Sequence, residues 1–353
     1  MSEPDVISTD KKRISYSQMS CYKRCKRKWY YRYVEKLQPI YTTRPLALGK
    51  LIHMGMECLY GGKDWRQGMF DMHMENVNLI KDSLAMPEEE KAQHIEDASQ
   101  FYEDAIAVFE RYAEHDAEKP LLGPGWKVVS LEEEFLVNLI GAEDQLYGFI
   151  DMIVEDADGG IWGIEHKSGE QFFDVEQLAL NEQTSLYISV LKNYYGNNVK
   201  GMIYNLVRTK VPSVPKMTKA KGMSKAAIDT TWEVYKEALL ENGLDPADYV
   251  DMQMKLENNK FVDRSYIYRT NKELNNFIEE TAHVMHAIVD QDPDTCYRTP
   301  TRDCKWDCKE FHELCIMDLK GLDTTYYKER AFVTRQSGRD TEPTEDQELP
   351  END

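Results

Sequence analysis

The stretch from Leu146 to Lys167, LYGFIDMIVEDADGGIWGIEHK, constrains what this chain can fold into more than any other. Apolar runs on either side of Asp156-Ala157-Asp158-Gly159-Gly160 predict two β-strands joined by a tight turn, with glycines where a positive φ is needed. The first strand carries one carboxylate, Asp151, among Phe149, Ile150, Met152, Ile153 and Val154; the second ends in Glu165-His166-Lys167. Side chains alternate along a strand, so Glu165 and Lys167 share one face while Ile164 and His166 take the other. Pairing of the two strands can set Asp151 across from Glu165. Two carboxylates and an ammonium then meet at the end of an otherwise apolar sheet. Charge in that setting needs a partner, and a divalent cation is the natural one for hard oxygen ligands. The lysine would help activate a water or steady charge developing on a phosphate. The plainer alternative is a solvated strand end with an ordinary Glu–Lys pair.

At 353 residues, 41% hydrophobic and 11% aromatic, the chain can bury one large core or two modest ones. No run approaches the about 18 apolar residues of a membrane span, and the N-terminal sequence is not that of a signal peptide. A soluble, cytoplasmic protein is expected. The net charge of −20 argues at first against a nucleic-acid partner, but its distribution matters more than its sum. Residues 340–353 hold seven acids and no base, and read as a disordered acidic tail (338–353). Residues 10–36 hold ten bases against two acids, and residues 208–225 six bases and no acid. Two basic patches on an acidic chain permit a phosphate-backbone partner.

In chain order, residues 1–12 read as a disordered leader, followed by capping hydroxyls in Ile14-Ser15-Tyr16-Ser17 and one helix from Gln18 through Val34 in which aromatics interleave with bases. That pattern suits nucleic-acid binding, and a packed amphipathic helix explains it as well. A helix spanning Leu46 to Tyr60 places His53 and Glu57 on one face; a lone helix histidine is more often structural than a ligand. Residues 61–125 read as a helical, accessory insertion within one domain over 13–335, and Trp126 to Leu139 as a strand carrying Glu132, Glu133 and Glu134. After Lys167 a single helix is expected from Val175 to Tyr195, with Gln183 and Tyr187 on one face. A strand at 201–207, a basic loop and insertion at 208–260, a strand near 261–269 and a helix over 274–289 follow.

The order of these signals resembles the RecB-type branch of the PD-(D/E)XK nucleases, which includes AddB-type helicase–nucleases, CRISPR-associated iron–sulfur exonucleases and phage recombination exonucleases. The matching residues are Ser17…Tyr22-x-x-Cys25, Gly49-x-x-x-His53, Gly148-Phe-Ile-Asp151, Glu165-x-Lys167 followed by Gly169, and Gln183-x-x-x-Tyr187. Each alone is weak; the five in the family's order make the signal. The resemblance implies an α/β, restriction-endonuclease-like core: a central mixed sheet flanked by helices, with helical insertions and a C-terminal cysteine cluster. It implies that His53, Asp151 and Glu165 ligate Mg²⁺ or Mn²⁺, that Lys167 orients the attacking water, and that Gln183 and Tyr187 line the site. The family's acid before x-Lys is commonly aspartate; here it is glutamate, with His166 expected to point away into packing.

Seven cysteines are distributed unevenly, and a cytosolic setting makes disulfides unexpected. Cys304-x3-Cys308-x6-Cys315 with the distant Cys25 resembles the one-plus-three set that holds a [4Fe–4S] cluster in iron–sulfur nucleases of this branch, with looser spacing than the C-x2-C of many relatives. Such a cluster would staple the N-terminal helix to residues 296–315. Zinc would satisfy four thiolates by count, Cys21 and Cys296 are spare, and Cys58 reads as a buried helix residue.

The resemblance thus implies a Mg²⁺- or Mn²⁺-dependent DNA exonuclease of recombination, repair or replication, of a type also encoded by phages, acting on DNA ends or single strands. The alternative is an inactive nuclease-fold module that binds nucleic acid. No phosphate-cradling G-x-x-x-x-G-K-[ST] is present, so a helicase or recombinase would come from another chain.

Overall fold

The computed structural model describes residues 11–334 apart from 85, 140, 141, 143, 173, 174, 220 and 258. The expected acidic tail and all but Lys11 and Lys12 of the expected leader lie outside the described residues.

Strand β1 (Arg13–Ser15) leads into α1 (Tyr16–Arg24), whose first turn is capped by Ser15 Oγ accepting from the Gln18 amide at 3.2 Å. The single helix expected through Val34 is instead three pieces: α1, α2 (Lys26–Trp29) and a π-helical turn over Tyr30–Val34. Cys25 interrupts it in an extended conformation (φ −161°, ψ 114°), a break that no proline or glycine announces. β2 (Leu37–Pro39) then precedes three helices, α3 (Arg44–Tyr60), α4 (Trp65–Asp82) and α5 (Glu88–Glu118). These pack on one another and on Val207 and Val262 of the sheet, so the stretch expected as accessory forms one wall of the core. Gly55 on α3 allows this: a Cβ there would come within 2.6 Å of the Phe109 ring.

The sheet begins with β3 (Lys127–Asn138), β4 (Gln145–Glu155) and β5 (Ile161–Gly169). The helix expected from Val175 is split into α6 (Val175–Ala179) and α7 (Glu182–Tyr195). Asn181 causes the break, its side chain accepting from the Thr184 amide at 2.9 Å and starting a new helix rather than continuing the old one. β6 (Val199–Arg208), α8 (Trp232–Glu241), α9 (Val250–Leu256), β7 (Val262–Ile267) and α10 (Asn271–Val289) follow, then α11 (Cys304–Cys308), α12 (Glu310–Leu319), α13 (Thr325–Ala331) and β8 (Phe332–Thr334). β8 pairs antiparallel with β2, tying the two ends of the described chain together. No described helix is long and apolar enough to cross a membrane.

The main sheet is mixed. β4–β5 and β6–β7 are antiparallel, β5–β6 parallel. β3 runs antiparallel along β4, so β1 and β5 share the other edge of β4: β1 takes residues 145–147, and β5 takes 152–155. A gap is left between them, and Asp151 stands in it.

The strands also change face there. Phe135, Val137, Leu146 and Ile150 enter the core that includes α1, α7 and α10, whereas Leu131, Met152 and Val154 join the core on the opposite side. On unbroken strands Leu131 would share a face with Phe135, and Met152 with Ile150. The switch falls between the register pairs Glu133–Ile150 and Leu131–Met152, on the step that carries Glu132 and Asp151. Glu132 sits at φ 48°, a left-handed backbone that costs a non-glycine residue energy and turns its side chain out of the regular pleat.

Candidate active site

The paired ladder of β4 and β5 stops at Met152–Ile164, one step short of Asp151 and Glu165. Beyond it the Asp151 carboxylate accepts the His166 backbone amide at 2.7 Å, filling the place of a backbone partner. α3 contributes His53, whose Nδ1 lies 3.6 Å from Asp151 Oδ2. Glu165 is 3% exposed; one of its oxygens accepts from Lys167 Nζ, and Oε2 is buried with no hydrogen-bond partner. Lys167 also donates to Gln183 Oε1 at 3.2 Å, and Gln183 Nε2 donates to the Tyr187 hydroxyl at 3.0 Å. Tyr187 rests edge-on against Phe135, with ring centroids 5.6 Å apart. The six residues singled out in the sequence thus fall into two linked groups, His53 with Asp151 and Glu165 with Lys167, Gln183 and Tyr187, drawn from α3, the β4–β5 hairpin and α7. Asp151 feels the charges of Glu165 and Lys167.

Electrostatics divide these groups by role. Burial, reinforced by the charge of Glu165, pushes the Asp151 carboxyl well above the usual range. For Lys167, burial works against the ammonium, but the charge and hydrogen bond of Glu165 outweigh it, with Asp151 adding; the net shift is upward. Lys167 is therefore a cation that can donate and stabilise negative charge, not a proton acceptor. Burial lowers the His53 pKa, leaving a neutral imidazole suited to metal ligation. Burial also raises that of Tyr187 well above its usual value, so it remains a phenol.

His166 turns away from these groups. Its ring is buried, stacks on Tyr60 with centroids 5.7 Å apart, and meets Asn205 Nδ2 through Nδ1 at 2.9 Å; the same amide reaches the Tyr112 hydroxyl at 2.8 Å. Two further residues converge on the site without having been singled out for it. The Tyr16 phenol has its pKa raised by burial first and then by Glu182, and Lys167 and Glu165 also act on it. Glu132 joins His53 and Asp151 in the one group of potential metal ligands, among the described residues, whose donor atoms all lie within 4.8 Å of one another. Glu165 is outside that group. The run Glu132–Glu134 was the available signal for Glu132, but alternation alone does not say which of three consecutive acids turns inward.

A second set of side chains gathers where α2 meets α11 and α12. Cys25, Cys304, Cys308 and Cys315 line a single cavity of about 290 Å³. Arg298 Nε donates to Cys315 Sγ at 3.3 Å, and the Thr301 amide to Cys304 Sγ at 3.2 Å. Burial, opposed by Lys28 and reinforced by the other three thiols, pushes Cys308 up to about 11. Cys21 and Cys296 are buried in the core that contains α1 and α10, and Cys58 is buried beside Met54, apart from this cavity.

Residues 13–315 match the model of the PD-(D/E)XK nuclease superfamily, a span that holds the whole hairpin, His53, the α7 pair and all four cavity cysteines. The chain belongs to the PD-(D/E)XK nuclease superfamily. Its mixed sheet with flanking helices is the restriction-endonuclease-like fold of that superfamily. No curated protein matches the chain. Among solved structures, a repair endonuclease from Pyrococcus abyssi is 24% identical over 38% of this chain and 42% of its own, with a TM-score of 0.18. An EndoMS complex with double-stranded DNA is 23% identical over 39% of this chain and 42% of its own, also with a TM-score of 0.18. This PD-(D/E)XK chain therefore spans less than half the length of either. A protein of Eubacterium rectale named as an exonuclease aligns over 84% of this chain and 92% of its own, at 10% identity and a TM-score of 0.36.

Proposed function

We propose that this chain is a divalent-cation-dependent deoxyribonuclease that digests DNA from its ends in recombination, repair or replication. One observation carries the cation-dependent reading: a carboxylate oxygen, Glu165 Oε2, buried without a partner beside a second carboxylate held above its normal pKa. A buried, unpartnered anionic oxygen is costly, and a cation removes that cost. Asp151 and Glu165, with the neutral His53 imidazole, would hold Mg²⁺ or Mn²⁺, a donor set of hard oxygens and one nitrogen that suits either ion. The ion would supply a water of lowered pKa at neutral pH. Lys167, fixed by Glu165 and Gln183, would donate to the attacking water or to a non-bridging phosphate oxygen as charge builds there. Gln183 and Tyr187 hold the lysine and shape the pocket. The basic residues of α1 and α2 and the loop over 208–225 would meet the DNA backbone. The preference for ends, and a helicase or recombinase partner, rest on the resemblance to the RecB-type branch.

The cysteine cavity is proposed as a [4Fe–4S] site held by Cys25, Cys304, Cys308 and Cys315. Around one tetrahedral zinc, with Zn–S near 2.3 Å, the sulfurs would stand about 3.8 Å apart; among the described residues no three of these thiols lie within 4.8 Å of one another. That wider spacing favours a larger group, and the donors on Cys304 and Cys315 suit thiolate charge. Anaerobically purified protein is expected to contain about four irons per chain and to lose them, with its visible absorption, in Cys308→Ser. Stoichiometric zinc in place of iron would defeat this assignment.

The deciding assay offers end-labelled linear DNA and closed circular DNA with Mn²⁺, with EDTA, and with Lys167→Ala. Cation-dependent loss of the linear substrate alone, slowed about 10²–10³-fold in the variant, is expected. Cutting of the circle would replace the exonuclease by an endonuclease. No cutting of either by folded, Mn²⁺-loaded protein would leave a nucleic-acid-binding module.

A further inference from the structure

The arm that connects β6 to α8 leaves the sheet at the same end as Lys167. β5 and β6 run parallel there, with Lys167 beside Leu206 and Gly169 beside Arg208, and the Thr209 amide donates to Gly169 O at 2.9 Å. Arg208 pairs with Asp229, which fastens the two roots of the arm to each other. Farther out the Ser213 amide donates to Asp229 O at 2.7 Å, Met217 and Met223 meet in an antiparallel bridge, and the Thr218 amide donates to Gly222 O at 2.8 Å. Met223 is buried with Tyr235 of α8 and Met252 of α9. The arm is braced along its length.

Its outer side carries a pattern. Along Val211-Pro-Ser-Val214-Pro-Lys-Met217 an apolar side chain recurs at every third position. Proline fixes its own φ and holds the residue before it extended, so a period of three persists without ladder bonds. Pro212 and Pro215 are buried, whereas Val211, Val214 and Met217 are exposed. The prolines thus face inward and a row of apolar side chains faces out, about 19 Å long at about 3.1 Å per residue. Of the six bases between 208 and 225, Arg208, Lys210 and Lys225 lean on Asp229, Glu170 and Asp251. Lys216, Lys219 and Lys221, around the tip, are exposed and have no acidic partner among the described residues. Lys221 keeps a left-handed backbone (φ 58°) that glycine would adopt freely, a strain of the kind found in functional segments. On a chain of net charge −20, three such ammonium groups on one arm select a polyanion.

We propose that this arm is a track for single-stranded DNA, with unpaired bases lying on Val211, Val214 and Met217 and phosphates meeting Lys216, Lys219 and Lys221. The inference rests on the nuclease reading given above and names the form of strand that reaches the site. A duplex shows a protein its backbone and its base edges; the flat faces of the bases are open to apolar side chains only where a strand is unpaired. The lysines alone would serve any nucleic acid, so the apolar row beside them is what discriminates. With its prolines turned inward, the arm offers no Pro-x-x-Pro face to a peptide-binding domain.

The test is fluorescence anisotropy with the full chain in EDTA, where no strand is cut, comparing labelled oligothymidine with a blunt duplex of the same length. Wild-type protein is expected to bind the single strand about tenfold more tightly or better. The triple change Val211→Ser, Val214→Ser and Met217→Ser should weaken single-strand binding about tenfold and leave duplex binding as it is. Changing Lys216, Lys219 and Lys221 together to Gln should weaken both, and should flatten the single-strand slope of log affinity against log salt by about 2, at about 0.7 per phosphate contact. Near-ultraviolet circular dichroism checks that each variant is folded; were the serine variant unfolded, the wild-type preference and the salt slope of the lysine variant still decide. Equal wild-type affinity for the two forms, a serine variant that binds single strands as the wild type does, or an unmoved salt slope each overturns the proposal. Digestion of DNA by a protein without this preference would overturn it and leave the nuclease reading standing. Selective, arm-dependent binding by a Mn²⁺-loaded protein that cuts nothing would do the reverse.

Discussion

The hairpin of β4 and β5 carries an aspartate at each end, and the two live under opposite conditions. At the turn, Asp156 accepts from the amides of Gly160 at 2.7 Å and Asp158 at 3.0 Å and from Trp162 Nε1 at 2.9 Å. The Trp162 bond, seconded by that of Gly160, holds its carboxyl below the usual range. At the open end, Asp151 is 13% exposed, accepts the His166 amide, and has its pKa pushed up by burial and by Glu165. The same residue type, five positions apart along the hairpin, is a finished structural element in one place and an unneutralised charge in the other. The contrast locates function: a carboxylate satisfied by protein donors builds the fold, and one held against burial and like charge is set for a cation from outside.

The largest effect should come from removing the second kind. Asp151→Asn keeps an oxygen for the His166 amide but loses the ligand, and loss of several kcal/mol of transition-state stabilisation predicts a fall in DNA cleavage of about 10³-fold or more. In metal-free protein the same change relieves the repulsion with Glu165, so urea unfolding should show unchanged or higher stability. Mn²⁺ should raise the unfolding midpoint of the wild type and leave that of the variant in place. A variant that loses both activity and metal-free stability would mean that Asp151 is structural, and the contrast would collapse.

The turn end should answer with the opposite pattern. Asp156→Ala leaves the Gly160 amide and the Trp162 indole without their acceptor, and losing such bonds costs about 1–2 kcal/mol. Cleavage by the folded variant should match the wild type at saturating Mn²⁺. A hundredfold loss of activity there would show that the two ends are coupled through the hairpin.

Much of this contrast is legible in the sequence. Alternating apolar residues around Asp-Ala-Asp-Gly-Gly mark the hairpin, and the side-chain period of two places Glu165 with Lys167 and sends His166 the other way. Helical spacing puts Gln183 and Tyr187 on one face, and the structure links them by a hydrogen bond. What escaped was whatever depends on local backbone exceptions. Cys25 is extended within a run of good helix formers, and Asn181 caps a helix where periodicity runs straight through. Glu132 adopts a left-handed conformation in mid-strand with no glycine or asparagine to signal it. The meeting of Cys25 with the three C-terminal cysteines, nearly three hundred residues away, came from family resemblance, because no local rule connects positions so far apart. Conversely α4 and α5, charged enough to look accessory, bury a narrow stripe of Met69, Ala105, Val108, Phe109 and Tyr112 that closes the core.

The smallest effect separates the two ends by pH. The imidazole of His166 is buried, and burial first, then its neighbours His53 and Lys167, hold its pKa well below the usual 6.5. The unfolded chain therefore takes up a proton near pH 6.5 that the native ring refuses. Stability is unaffected above that pH and falls as pH drops below it, by up to about 1.4 kcal/mol per pH unit until the native pKa is reached. His53, also lowered, acts in the same direction. Asp156 behaves otherwise: its depressed pKa gives stability that is fully present above the ordinary carboxylate value of 3.8 and is lost only in stronger acid. Between pH 7 and 5.5 the deficit of Asp156→Ala relative to wild type should thus stay constant. That of His166→Gln, whose amide can still meet Asn205 but does not titrate, should shrink by about 1 kcal/mol over the same interval. Urea midpoints for the three proteins at the two pH values measure both. A deficit of His166→Gln that holds constant would show that the ring beneath the E-x-K strand is not held neutral by its burial, and that the open end of the hairpin is less dry than its packing against Tyr60 and Asn205 indicates.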